Sequence, residues 1–582
     1  MSSHRRDSTN SKTPLLDRPE VPQEETVLED DLPVPEPETK KTKYEEDDDS
    51  DNGKDGLALD LSTAIQESGE GYVMNIDLNF ESNRQKKLFM ADPVIYLSKK
   101  VNSAEVNYRR LTEDEKQLFE NAKNSEVSSF LKTQAVRRCL SFEESQKAQQ
   151  SDRVLRARWV LTWKGVPEES REEAAMDREN NKKSTYTADL SRKAKARIVL
   201  LGFQHPDLES PDFRTTSPVQ SQLMKHLSLI PCSQRKWKLE SLDMKTAFLQ
   251  TGAADMESKE LWTPGVPELR AALGAQDHEL LRILRNVYGN ATAPRGLWND
   301  VDATFVRLGG HRLVGDNSFW VWTEENEQPR NPADRFRVIG FVGGHVDDFN
   351  RGGDLENPKW LEVRRQIDEA YKWGTMKEDV FRHTGVDVSV NTKGEDHWIE
   401  LNQDFYVETL QNVAIPEHRL RGDGSLTLTS DEVAACRASL GALQWVASQT
   451  QIQACSRVNL LLTELTVNKN ITVAKEINDL IKEVRSNPMV LRLYRLPQVQ
   501  HWQDFVVVTM ADQAHANRPQ GGSTGGLLTC LGGPEQLHGE AGRLNPIAWK
   551  TWKLKRKAIS TNDGEMQATL EGEDHLFRTR WM

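Results

Sequence analysis

The sequence predicts an α+β protein, because strand-like and helical stretches occupy separate blocks of the chain instead of alternating regularly. Strand-like apolar runs ending in turn residues occur at 156–165, 193–203, 237–252 and 338–350. Helical patterning dominates 431–487, and strand character resumes at 504–512. No internal repeats are visible.

The chain starts with an acidic stretch. Of its net charge of −13, residues 1–70 contribute −12, from 8 Lys/Arg and 20 Asp/Glu. Segments such as "EEDDDSD" and "DLPVPEPETKK" carry too little apolar surface to fold, so a disordered acidic tail is expected over 1–75. The remainder is close to neutral, and the bulk charge therefore does not exclude a polyanionic partner. A helical segment is expected within 76–150, where "LTEDEKQLFENAKNSEVSSFLKTQAV" opens on a Thr followed by Glu in capping order. "RARWVLTWKG" reads as a strand through the alternation of Trp159, Leu161 and Trp163. A charged, loop-like insertion is expected at 166–190, then a second strand in "KAKARIVLLGF". "WKLESLDMKTAFLQTG" predicts a strand running into a turn or helix, with Asp243 at the junction.

The five cysteines (Cys139, Cys232, Cys436, Cys455, Cys530) are scattered with no CxxC pair. That spacing suits reduced thiols and offers no zinc signature. No apolar run is long enough to span a bilayer, and no signal core precedes the fold. A soluble intracellular protein with no membrane partner is expected.

The chemistry concentrates in "GFVGGHVDDFN" (340–350), where an apolar run meets two adjacent aspartates, Asp347 and Asp348. Neighbouring strand residues face opposite sides, yet a tight hairpin brings both carboxylates towards one place. Together with Asp243 they are three acids at the ends of apolar runs. Such a set can hold hard divalent cations, and two cations clamp the attacking and leaving oxygens of a phosphoryl transfer. A turn-forming or solvated role for each Asp is the alternative at this point.

Eight ordered motifs then bear on that choice, from about residue 105 onward. They are "KAKARIVLLGF", "DFRTTSPV" (212–219), "LESLDMKTAFLQTG", "LWTPGVP" (261–267), "VYGNATAPRGLW" (287–298), "GHVDDFN", "FRHTGVDV" and "CRASLGALQWVAS". In that order they resemble the reverse transcriptase of copia-type long-terminal-repeat retrotransposons. The resemblance implies a palm, fingers and thumb right-hand fold and an RNA-directed DNA polymerase. Asp243, Asp347 and Asp348 would be its catalytic and metal-holding acids, with two Mg2+ ions (Mn2+ as an alternative). RNA template, DNA primer and deoxynucleoside triphosphates are the implied partners.

The same resemblance gives roles to other matched positions. Lys195 and Arg197 would grip the triphosphate, a task suited to a point charge and a planar fork. Without the motif they read as a solvated basic edge. Phe248 would lie under the incoming sugar and exclude a 2′-hydroxyl, where a bare reading places it in the core. Arg295 falls at the nucleotide-pocket loop, or is a surface arginine. His345 departs from the family, which has Tyr there.

Downstream, "VVVTMADQAHANRPQGGSTGGLLTCL" and "PIAWKTWKLKRKAISTNDGEMQATLEG" resemble the start of the family's ribonuclease H region. Asp512 and Glu565, the latter on a helix beginning near Thr561, match its first two acids. The basic run Lys553–Lys557 beside Trp549 and Trp552 suits a nucleic-acid surface, or a solvated loop. Further strands and another aspartate would be needed beyond Met582, so a partial, α/β ribonuclease H-like domain is expected. Glu571, Glu573 or Asp574 are the acids available to substitute. The expected organisation is an acidic tail (1–75), a helical segment (76–150), fingers and palm (151–415), a helical thumb or connection (416–500) and the partial domain (501–582). Two rivals stand beside this: a decayed, non-catalytic nucleic-acid-binding remnant, and an unrelated two-metal nuclease. Localisation would be a cytoplasmic particle, the nucleus, or both.

Overall fold

The first helix, α1 (Glu113–Thr133), begins where the sequence places it. Thr112 accepts from the Glu115 amide, and the Glu115 carboxylate accepts from the Thr112 amide at 3.0 Å, closing a capping box. It stops at Gln134, which turns left-handed with φ 52°. The computed structural model describes residues 105–166, 171–180, 183–208, 210, 213–252, 260–327, 329–421 and 424–581. The acidic tail and the start of the predicted helical segment lie outside them. All described residues belong to one compact unit.

After β1 (Val136–Arg138) and α2 (Phe142–Gln150) comes an antiparallel ribbon of β2 (Ala157–Gly165) and β3 (Arg192–Leu200). Ala194, Ala196, Ile198 and Leu200 of β3 are buried. The strand period of two therefore puts Lys195 and Arg197 together on the opposite face. Between the two strands, the predicted loop contains α3 (Arg171–Asn180). "REEAAMDREN" is rich in strong helix formers, which its charge obscured.

Two short helices, α4 (Gln222–Leu227) and α5 (Leu229–Arg235), lead to β4 (Lys238–Met244) and the single turn α6 (Ala247–Gln250). Then follow β5 (Trp262–Thr263), α7 (Pro267–Leu273), β6 (Leu281–Ile283) and α8 (Ala293–Arg307). The chain continues through β7 (His311–Arg312), β8 (Phe319–Glu325), β9 (Phe336–His345), β10 (Asp348–Gly353), α9 (Pro358–Ala370) and β11 (Trp373–Glu378). These strands build a six-stranded sheet in the order β11-β4-β10-β9-β8-β7. Its pairings are all antiparallel. Leu242, Val342 and Phe349 pack with the apolar sides of α8 and α9, while Leu239 and Phe341 join Leu229 and Ile230.

Two glycines make that packing work. Gly340 and Gly353 are register partners on β9 and β10, and the Trp360 indole of α9 lies across both. A Cβ at Gly353 would come 2.1 Å from the indole nitrogen. The strands are also joined by charge. Fully buried Arg351 donates to Glu240 at 2.6 Å and to Asp368 at 2.6 Å, and Arg364 donates to the other Glu240 oxygen at 2.5 Å. Arg351 and Glu240 are register partners, so the ion network fixes β10 on β4 and α9 on both.

The next sheet has four antiparallel strands: β12 (Val380–His383), β13 (Val386–Lys393), β14 (Asp396–Asn402) and the later β15 (Leu491–Tyr494). Between the last two lie α10 (Asp404–Thr409), α11 (Glu417–Leu420), α12 (Ser430–Gln449), α13 (Cys455–Val467) and α14 (Ile471–Ser486). Leu440, Leu443, Val458, Leu461 and Ile477 form their shared core. Finally β16 (Val506–Arg518), β17 (Gly522–Gly532) and β18 (Asn545–Lys553) form an antiparallel meander, followed by α15 (Thr561–Trp581). Trp549 on β18 donates to the Ala447 carbonyl at 2.8 Å and stacks on buried His226, which bonds the Ile547 carbonyl at 2.9 Å. Those contacts attach the meander to α12 and α4. Among the described residues no helix is long and apolar enough to cross a membrane.

Candidate active site

The two aspartates singled out in the sequence sit at the tip of the β9–β10 hairpin. Val346 and Asp347 form its two-residue turn, and Asp348 starts β10 directly opposite Asp243 of β4. The first turn position has φ 61°. Turns of this kind favour Gly or Asn there, and a β-branched Val is a true outlier. Such strain persists only where the surroundings enforce it. Here the Met244 amide donates to the Asp347 carbonyl at 3.0 Å, and the Gly344 carbonyl accepts from Gln220 at 2.9 Å and Ser318 at 2.8 Å.

The three acids differ in surroundings. Asp243 is exposed, whereas Asp347 and Asp348 are half-buried. Burial raises the Asp347 pKa above the usual carboxylate range; repulsion from Asp243 and Asp348 adds to this, and Arg197 opposes it. Asp348 is engaged elsewhere. Its Oδ2 accepts from the Thr384 amide at 3.1 Å, and its Oδ1 lies 3.3 Å from His383 Nδ1. Thr384 and Gly385, at φ 48° and 78°, form the β12–β13 turn that aims this amide. As the side chains stand, no group of three His, Cys, Asp or Glu among the described residues is gathered tightly enough to hold a metal ion. Half-buried Asp347 and exposed Asp243 are nevertheless hard oxygen donors of the kind Mg2+ takes. The donor chemistry therefore fits that ion.

Around these acids the fold collects much of the predicted set. Burial and the repulsion of Arg197 and Lys164 lower the Lys195 pKa, while the field of Asp243 works against them. Arg197 stacks on Tyr288 with 5.1 Å between guanidinium and ring centroid. Phe248 meets the same ring edge-on at 5.1 Å. Tyr288 is pushed up to about 12, first by burial, and it senses both Asp243 and Asp347. Beyond Asp243, a Cβ at Gly374 would lie 3.0 Å from the Asp243 carboxylate, so Gly374 keeps that side open.

Arg295 has other neighbours. It lies in the first turn of α8, stacks 4.4 Å over Trp298, and has Arg214 and Arg312 as charged neighbours. His345 is held neutral near physiological pH, its pKa lowered to about 4 by burial with help from Lys225 and His383. On the last sheet, Asp512 is exposed on β16 and Glu565 lies on α15, whose Gly564 packs against Gln513. No hydrogen bond joins the two acids. Glu571 is paired with Lys550 of β18, and Glu573 and Asp574 are exposed.

Residue patterns did not flag three participants. Tyr288 was in view only as part of "VYGNATAPRGLW". Glu126, 8 % exposed, accepts from the Ile198 amide beneath Arg197 and is raised to about 7 by burial. It sits among polar helix residues that hide its burial. The Thr384 amide is a backbone group, and no side-chain pattern reports it.

No family model matches the chain, and no curated protein is similar to it. Among solved structures, it is similar to a foamy viral protease-reverse transcriptase in complex with double-stranded DNA, at 11% identity and a TM-score of 0.36. That match covers 84% of this chain and 73% of the viral one. A likeness this loose carries no argument about the chain.

Proposed function

We propose that the chain is an RNA-directed DNA polymerase of the copia type, extending a primer 3′-hydroxyl on an RNA or DNA template. One observation carries the reading: Asp348 is the register partner of Asp243, with Asp347 next to it in a strained hairpin turn, beside a cationic ribbon. In this reading the six-stranded sheet is the palm, β2 and β3 are the fingers ribbon, and α12–α14 the thumb or connection. Asp243, Asp347 and Asp348 would hold Mg2+, which supplies charge neutralisation at the reacting phosphate. Lys195 and Arg197 bind the triphosphate, Arg197 oriented by its stack on Tyr288. Phe248, braced by the same ring, limits the space for a ribose 2′-hydroxyl. Arg295, with Arg214 and Arg312 nearby, is better suited to a template phosphate than to the incoming nucleotide.

A second reading, the non-catalytic binding remnant, is favoured by two facts. Asp348 is already satisfied by Thr384, and the acids are not gathered. Incubating the protein with a DNA primer on an RNA template, deoxynucleotides and Mg2+ separates the two. Primer extension supports the polymerase; binding of the hybrid with no extension supports the remnant.

A further inference from the structure

A cavity of about 580 Å3 opens between α1, α6 and the loops before α8 and β11. Four separate elements each bring a cation to it: Lys132 from α1, Lys245 from the end of β4, Arg285 after β6, and Lys372 before β11. The rest of the lining is Ser125, Ser128, Ser129, Thr133, Gln134, Thr246, Leu249 and Gln250, with no carboxylate among the described residues. No ion pair or side-chain hydrogen bond ties any of the four cations to another described residue. Lys132 has an ordinary role at a helix C-terminus. The other three have none.

The cavity is also built to hold its shape. The Gln250 amide nitrogen donates to the carbonyls of Lys245 at 2.6 Å and Lys372 at 2.9 Å, and its oxygen accepts from the Lys372 amide at 2.7 Å. The Lys245 amide donates to the Lys372 carbonyl at 3.0 Å. One side chain thus clamps two cation-bearing loops at a fixed separation. The Arg285 amide donates to the Ala135 carbonyl just beyond α1. Like charges left unpaired and held together repel one another, and a concave wall focuses their field. An anion relieves that repulsion. The volume is in the range of about 300–1,000 Å3 typical of small-molecule sites.

We propose that this cavity binds a small polyphosphate, a ligand with two or more adjacent phosphate groups. A guanidinium fork and three ammonium groups match several phosphate oxygens at once, and the Ser, Thr and Gln side chains supply neutral donors. A single carboxylate would leave most of the cations unmatched, and a nucleic-acid strand calls for an extended stripe of charge instead of one compact cluster. The assignment rests on the cavity's own chemistry and holds whether or not the chain transfers nucleotides.

The test is calorimetric titration of the full chain with tripolyphosphate in low salt and EDTA, conditions that remove metal-dependent binding at the aspartates. One saturable site per chain is expected, weakened on the order of tenfold in Arg285→Gln and in Lys372→Gln and lost in the double variant. Both side chains reach solvent, so thermal unfolding should match the parent. Absence of saturable binding overturns the proposal. So does a loss confined to Lys195→Gln, which would place the ligand on the β3 pair. Affinity that grows with single-stranded oligonucleotide length, without competition by tripolyphosphate, would make the cavity part of a nucleic-acid track and also overturn it.

Discussion

Asp347 is ionised at a cost. Its folded pKa lies above its unfolded value through burial and two neighbouring carboxylates. Stability is therefore greatest below the usual Asp range and declines as pH rises through the raised pKa. Asp347→Asn removes that titration. Without divalent cations, the variant should melt about 1–2 °C above the parent at pH 7 and lose the advantage near about pH 3. Thermal unfolding at the two pH values checks this, and a variant less stable at pH 7 would show Asp347 to be structurally favourable. Phe248 makes a different prediction. Its ring is half-buried and braced edge-on by Tyr288, so Phe248→Ala should raise ribonucleotide incorporation relative to deoxynucleotide. An unchanged ratio in a folded variant would give Phe248 a packing role only. The sequence separated those roles poorly, because an apolar ring after a strand satisfies both.

At the scale of elements, the hairpin and its support carry the site. Gly353 faces the Trp360 indole, and Gly353→Ala would force that ring off the sheet. The expected loss is about 1–3 kcal/mol, as for other overpacked core positions, measured by denaturant unfolding. A loss near zero would mean α9 shifts freely, contrary to the pinning of Arg364 and Arg351 on Glu240. Most strands near the site were legible in the sequence, since β2, β3, β4 and β9 each have a strand-like apolar pattern, and those of β4 and β9 run up to the acids. The α3 helix was not legible, because charged residues on both sides of its short Ala174–Met176 stretch read as a solvated loop. Contacts made through backbone amides, such as Thr384 on Asp348, depend on turn conformations that no pattern specifies. Arg295 shows the converse: its motif was legible, but its position beside Arg214 and Arg312 follows from where α8 starts in space.

For the whole molecule, the last sheet does not behave as an uncovered remnant among the described residues. The β16–β18 meander is covered by α15 and fixed by Trp549, which bonds Ala447 and stacks on His226. Asp512 and Glu565 are on facing elements but unjoined, and Glu571 is taken by Lys550. Two carboxylates so placed are a poor clamp for two ions that must sit about 3.5–4 Å apart. Labelled RNA in an RNA–DNA hybrid should accordingly survive incubation with the protein and Mg2+. Cleavage that disappears in Asp512→Asn would show a working second site. The central claim concerns the first site. Its most direct test is single-turnover addition of one deoxynucleotide to a primer on an RNA template, comparing the parent with Asp347→Asn and Asp243→Asn. Extension by the parent and a loss on the order of 10²–10³-fold or more in each variant is the expected result; extension at the parental rate by either folded variant would contradict the assignment of these acids.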